Sequence, residues 1–73
     1  MAKTILITGA SSGIGKTTAT LFAERGWNVV ATMRSPEKET ELLGRDNVLV
    51  TRLDVTEPAS IRAAVDAAIV RFG

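Results

Sequence analysis

Hydrophobic and polar positions alternate between two periodicities along the 73-residue chain. Three short apolar runs rich in β-branched residues predict buried strands, at residues 4–8, 28–33 and 48–53. Helix-type spacing of apolar residues and helix end signals predict helices between and after these runs, at residues 14–25, 35–44 and 56–72. The pattern therefore predicts the element order β-α-β-α-β-α.

The middle helix is predicted from its end signals. Ser35 is suited to N-cap it, and Pro36 stands at its first position. Glu37 and Glu39 lie in the first turn, where the helix dipole favours anions. Residues 42–44, Leu-Leu-Gly, are expected to end it.

Short connections between these elements imply parallel strands joined by right-handed crossovers. This α/β pattern is that of the first βαβαβα half of a doubly wound parallel sheet, with strand order 3-2-1. In such a sheet strand 1 is central, and a fourth strand lies on its far side. The chain stops at Gly73, where the last helix would lead to that strand. We therefore expect residues 1–73 to be the N-terminal part of a dinucleotide-binding domain, truncated before strand 4, with Ile5, Leu6 and Ile7 on an uncovered edge.

Composition excludes several classes of protein. With 45% hydrophobic and 23% charged residues the chain is unlike a disordered one, and no apolar run approaches the ~18 residues of a membrane span. The absence of cysteine and histidine excludes disulfides, thiolate metal sites and a Ser-His-Asp triad, and no metal site is expected. The charged residues are scattered along the chain and leave a net charge of +1, so no nucleic-acid partner is expected. With no targeting signal, we expect a cytoplasmic protein.

A glycine-rich turn, T-G-A-S-S-G-I-G at residues 8–15, separates the first strand from the first helix. Gly9 would turn the chain tightly, Gly13 would let the backbone approach a ligand, and Gly15 would let the helix pack close to the sheet. The free amides at the helix start, aided by the dipole, form an anion site suited to a pyrophosphate.

A second interpretation of the same residues is a triphosphate-binding loop. Residues 10–17 read A-x-x-x-x-G-K-T, one substitution from the P-loop motif, with Lys16 reaching the phosphates and Thr17 holding magnesium. That site also needs an aspartate that closes an apolar strand, and Asp54 follows a strand interrupted by Thr51 and Arg52. A P-loop triphosphatase and a non-catalytic nucleotide-binding module therefore stay open as alternatives.

The segment TGASSGIG resembles the T-G-x-x-x-G-x-G motif of the short-chain dehydrogenase/reductase family. The resemblance covers the whole chain, continuing through Arg34, Leu53-Asp54-Val55 and Arg71-Phe72-Gly73. It implies a Rossmann-type sheet and a nicotinamide dinucleotide cofactor. It also implies hydride transfer between the nicotinamide and a small alcohol or carbonyl substrate.

The resemblance assigns cofactor-binding roles only. The residues expected to contact ribose and pyrophosphate are Gly9, Ser11, Ser12, Gly13, Ile14 and Gly15. Asp54 would accept a hydrogen bond from the adenine amino group, and Val55 would line the adenine pocket. An aspartate at a strand end also commonly caps the following turn, and the two roles are compatible.

No catalytic residue is expected within this chain. The family's N-A-G segment, its catalytic serine and its Y-x-x-x-K pair would lie beyond Gly73, and the sequence contains no tyrosine. We therefore expect the parent protein to be the oxidoreductase and the 73 residues alone to be inactive. A homo-oligomeric parent stays open.

The end of the second strand bears on the choice of cofactor. An NAD-selective site places an acidic residue about 20 positions beyond the glycine turn. Here the strand ends in Met33, and Arg34 follows, whose guanidinium can bind a 2′-phosphate through two hydrogen bonds. The sequence therefore predicts NADP(H) as the preferred cofactor and NAD(H) as the second candidate. The alternative is that Arg34 extends into solvent without a ligand.

Overall fold

The computed structural model describes residues 2–73. The strands are β1 (Thr4–Ile7), β2 (Asn28–Met33) and β3 (Val48–Arg52), and the helices are α1 (Gly13–Glu24) and α2 (Pro58–Phe72). Each lies within two residues of its predicted bounds. None of the helices in residues 2–73 is long and apolar enough to cross a membrane.

The prediction of a middle helix at residues 35–44 is wrong. Only a three-residue 3-10 turn, Pro36–Lys38, forms there, and Ser35 makes no side-chain capping hydrogen bond. The backbone is extended at Glu39, whose carboxylate accepts a hydrogen bond from the Leu42 amide at 2.9 Å. Leu42 is 1% exposed in the core. Burial of these two side chains therefore overrides the local helix signals, which are weak beside tertiary contacts.

The sheet is parallel, in the order β1-β2-β3, as predicted. Ile5 pairs with Val29, and Val29 pairs with Val48. Successive side chains of β2 point to opposite faces. Val29 and Ala31 pack in the main core with α1, while Val30 lies beside residues of α2. Both faces of β2 are thus covered, which explains its continuous apolar sequence.

The apolar stripe of α2 is only partly buried. Ala64 is fully buried, but Ile61, Val65 and Ile69 are 38%, 42% and 59% exposed. Beside β1, a groove of about 300 Å³ is lined by residues of β1, β2 and α2 and by the residue after α2: Thr4, Leu6, Val30, Val65, Ala68, Ile69, Phe72 and Gly73. Within the described residues, much of the surface formed by β1 and α2 around this groove is therefore uncovered and apolar.

Within residues 2–73, β1 pairs with β2 alone, so one of its edges is free. Ile5, Leu6 and Ile7 lie on this edge strand, as expected. Their side chains differ in burial, because Leu6 is exposed and Ile5 and Ile7 are half-buried against the main core. The difference follows from strand alternation, which places Ile5 and Ile7 on the α1 face and Leu6 on the face of the groove.

We predict that the isolated 73-residue chain self-associates, because a free strand edge beside apolar surface is a template for pairing. Sedimentation velocity would detect the association, and Leu6→Lys should reduce it by placing a charge at that edge. Leu21→Lys, on the exposed part of α1, is the matched control and should change little. A cooperative, monomeric melt above ~45 °C would contradict the prediction.

Candidate functional site

The glycine-rich turn is anchored to the middle strand. The Ala10 amide donates a hydrogen bond to the Thr32 carbonyl at 3.0 Å, and the buried Thr32 hydroxyl donates to the Ile7 carbonyl at 2.7 Å. Ser12 flanks α1 in an extended conformation and makes no side-chain cap. The turn is therefore held in place without the Ser12 hydroxyl.

Gly13 and Gly15 suit their positions in the turn for different structural reasons. Gly13 has φ of +58°, and an added Cβ would meet no atom within 4 Å. At Gly15 an added Cβ would overlap the Gly9 carbonyl oxygen and lie 2.7 Å from the Gly9 carbonyl carbon. Gly15 thus permits close packing of α1 against the turn itself, rather than against the sheet as expected from sequence.

A cavity of about 340 Å³ opens where the three strands end. Its lining residues are Gly9, Ser11, Ser12, Met33, Arg34, Leu53, Asp54, Val55 and Thr56. Six of these nine are predicted site residues. The structure does not bring Gly13, Ile14 and Gly15 into the lining, and the Ile14 side chain is 87% exposed.

Sequence reasoning missed three lining residues, Met33, Leu53 and Thr56. Met33 and Leu53 are 3% and 6% exposed, and the Leu53 amide donates a hydrogen bond to the Met33 carbonyl at 2.9 Å. This bond aligns the ends of β2 and β3, so Arg34 and Asp54 follow side by side. The sequence signal that could have identified these three residues is that each lies next to a predicted site residue near the end of a strand.

Asp54 has the turn-capping role considered above. Its Oδ1 accepts hydrogen bonds from the Thr56 hydroxyl at 2.7 Å and the Thr56 amide at 2.9 Å. These bonds, the hydroxyl's foremost, lower the pKa of the Asp54 carboxyl, and the positive charges of Arg34 and Arg52 add to the effect. Both hydrogen bonds that residues 2–73 donate to this carboxylate end on Oδ1, so Oδ2 is available to a ligand.

Ser60 fixes the backbone of this loop and was not singled out from sequence. Its hydroxyl accepts a hydrogen bond from the Asp54 amide at 2.9 Å and lies 2.8 Å from the Glu57 carbonyl. The residue is 8% exposed, in the first turn of α2. Val55, between these anchors, is 68% exposed and gives the cavity an apolar wall.

Lys16 is held away from a phosphate-binding role by two carboxylates. Its ammonium lies 3.1 Å from Glu39 and 3.4 Å from Glu41, and the Glu39 hydrogen bond is the main reason that its pKa is raised. The geometry therefore does not favour a P-loop triphosphatase.

The sequence matches a known family over almost the whole chain. The sequence model for short chain dehydrogenase matches residues 3–73. The chain belongs to the short-chain dehydrogenase family. An oxidoreductase of Staphylococcus saprophyticus described as uncharacterized is 39% identical over 74 residues, which cover 97% of this chain and 30% of that protein. The chain thus spans less than a third of the length of this relative.

Two solved structures similar to this chain carry cofactors. The 3-ketoacyl-(acyl-carrier-protein) reductase of Brucella melitensis, complexed with NADH, is 39% identical with a TM-score of 0.84, covering 97% of this chain and 30% of that one. A protein of Burkholderia multivorans described as a short-chain dehydrogenase/reductase, with bound NADP, is 37% identical with a TM-score of 0.75, covering 93% and 32%. One solved structure similar to this chain therefore holds NADH and another holds NADP.

Proposed function

We propose that residues 1–73 are the N-terminal part of the dinucleotide-binding domain of a larger oxidoreductase, and that this domain binds NADP(H). The observation that carries the proposal is the convergence of three segments on one cavity: the glycine turn after β1, Arg34 after β2, and Asp54 with Val55 after β3. In open parallel sheets, ligands bind in the crevice at the carboxyl ends of the strands.

The residues present suit a nicotinamide dinucleotide. Open space next to Gly13, at the start of α1, leaves room for a pyrophosphate. Ser11 and Ser12 supply hydroxyl groups at the cavity, while Asp54 Oδ2 and the apolar side chain of Val55 suit adenine. When bound, the cofactor would supply or accept the hydride exchanged with an alcohol or carbonyl carbon. The catalytic residues and the substrate pocket would come from the rest of the protein.

The preference for NADP(H) is supported by the charges at the end of β2. Arg34 is exposed at the cavity, and the residue before it is the buried, uncharged Met33. A carboxylate in that place would bind the ribose 2′-hydroxyl of NAD and repel a 2′-phosphate. The sole carboxylate in the cavity lining belongs to Asp54, after β3.

Arg34→Ala in the full-length protein is expected to weaken NADPH binding by about 1.5–3 kcal/mol, the range for hydrogen bonds to charged groups. NADH binding should change little, because NADH lacks the 2′-phosphate. Isothermal titration with both cofactors measures the two affinities. The matched control is Arg52→Ala. Arg52 is another exposed arginine at a strand end, but it pairs with Glu57 at 2.7 Å and lies outside the cavity lining.

The control should leave the ratio of the two affinities unchanged. Equal losses for NADPH and NADH in Arg34→Ala, or a wild-type preference for NADH, would refute the assignment of Arg34. Failure of the wild-type protein to bind either cofactor would refute the proposed function as a whole.

A further inference from the structure

Glu39 is a buried carboxylate that the proposed cofactor site does not use. Its side chain is 1% exposed. One oxygen, Oε2, accepts the Leu42 amide hydrogen bond at 2.9 Å, and the other, Oε1, lies 3.1 Å from the Lys16 ammonium. Burying a charged group costs free energy unless the group is paired and hydrogen-bonded. Both oxygens of Glu39 have such partners.

These contacts join two parts of the chain that meet at the proposed cofactor site. Lys16 follows Gly15 directly in α1, and Glu39 lies five residues after Arg34 in the connection between β2 and β3. The 3-10 turn lies between Arg34 and Glu39, and the Glu39 amide donates to the Pro36 carbonyl at 3.1 Å. Only a short, hydrogen-bonded segment therefore separates the guanidinium from the ion pair.

The segment carrying Arg34 is fixed at both of its ends. Before Arg34, the Met33 carbonyl accepts the Leu53 amide at 2.9 Å within the sheet. After it, Glu39 is anchored to α1 through Lys16 and to the core through Leu42. An arginine held in this way loses less conformational freedom when it binds a phosphate with its planar guanidinium.

We propose that Glu39 is a positioning residue for cofactor selectivity, because its ion pair with Lys16 holds the segment that presents Arg34 to the 2′-phosphate. This inference rests on the proposed NADP(H) site. This role predicts an effect on the binding of one cofactor only. The two cofactors share the pyrophosphate, so any change at the glycine turn affects both, whereas a looser Arg34 segment weakens NADPH alone.

The test is Glu39→Gln in the full-length protein, with Kd values for NADPH and NADH measured by titration calorimetry. The amide oxygen of glutamine can still accept the Leu42 hydrogen bond, so the change removes mainly the charge. We expect the ratio of NADPH to NADH affinity to fall about fivefold, within the range for mutations that alter coupling between sites. The Kd for NADH should stay within error of the wild type.

Glu41→Gln is the matched control, since Glu41 lies 3.4 Å from the same Lys16 ammonium but its side chain is 74% exposed. It should leave the ratio unchanged. Lys16→Met removes the ion pair from the other side and should reproduce the Glu39→Gln result, which keeps the test decisive if Glu39→Gln does not fold.

The outcomes separate this inference from the proposed function. Loss of selectivity in Arg34→Ala together with an unchanged ratio in Glu39→Gln or Lys16→Met would overturn the role of Glu39 alone. Parallel losses of NADPH and NADH binding would also overturn it, because they would show a general structural role. Absence of selectivity in both the wild type and Arg34→Ala would refute the assignment of Arg34, on which the inference rests.

Discussion

Gly15→Ala in the full-length protein is expected to destabilise the fold by about 3 kcal/mol or more, at the upper end of the range for overpacking. Position 15 lies in the first turn of α1, where helix propensity alone would make alanine stabilising by about 0.5–1 kcal/mol. The contact with Gly9 reverses the sign of this effect on stability. The new Cβ would lie 2.7 Å from the Gly9 carbonyl carbon and 3.2 Å from the Ala10 Cα, and these backbone atoms cannot move aside as a flexible side chain could.

Thermal unfolding of the variant measures the effect, at roughly 2–4 °C per kcal/mol for a protein of about 150–250 residues. Thr17→Ala, at an exposed position two residues further along the same helix, is the control for helix propensity and should be neutral or slightly stabilising. An unchanged or higher melting temperature for Gly15→Ala would show that α1 does not pack against the turn as described.

Gly13→Val in the full-length protein is expected to abolish binding of NADPH and NADH alike while leaving most of the fold intact. An added Cβ at Gly13 meets no protein atom within 4 Å, so the branched side chain would occupy space that we assign to the pyrophosphate. The positive φ of +58° adds backbone strain of about 1–3 kcal/mol, which a protein of ordinary stability survives.

Gly44→Val separates the strain from the loss of ligand space. Gly44 also has positive φ, +87°, with no atom within 4 Å of an added Cβ. It precedes the amino end of β3, however, whereas Gly13 starts α1 after the carboxyl end of β1. Both variants should lose similar stability in thermal melts, and only Gly13→Val should lose cofactor binding in titrations. Unchanged affinity in Gly13→Val would make the glycine segment purely structural.

The elements predicted correctly from sequence are those whose local pattern agrees with their burial. The apolar run 28–33 is covered on both faces, and its β-branched residues also favour a strand, so pattern and packing point to one answer. The connection after Arg34 is the opposite case. Its end signals describe a helix, yet two long-range requirements, the pairing of Glu39 with Lys16 and the burial of Leu42, determine its conformation.

The candidate site was predictable where it depends on position along the chain. Arg34 and Asp54 follow parallel strands, and the ends of such strands meet at one edge of a sheet whatever the details of packing. Individual contacts between residues several positions apart in the chain were not predictable. No periodicity in the sequence indicates that the Ser60 hydroxyl accepts a hydrogen bond from the Asp54 amide, or that the Gly15 backbone lies close to the Gly9 carbonyl.

A crystal structure of the full-length protein with NADP bound tests the central claim most directly. The geometry predicts adenine beside Asp54 and Val55, the 2′-phosphate on the Arg34 guanidinium, and the pyrophosphate next to Gly13 at the start of α1. A cofactor bound away from the carboxyl ends of β1, β2 and β3, or a 2′-phosphate that points into solvent away from Arg34, would contradict it.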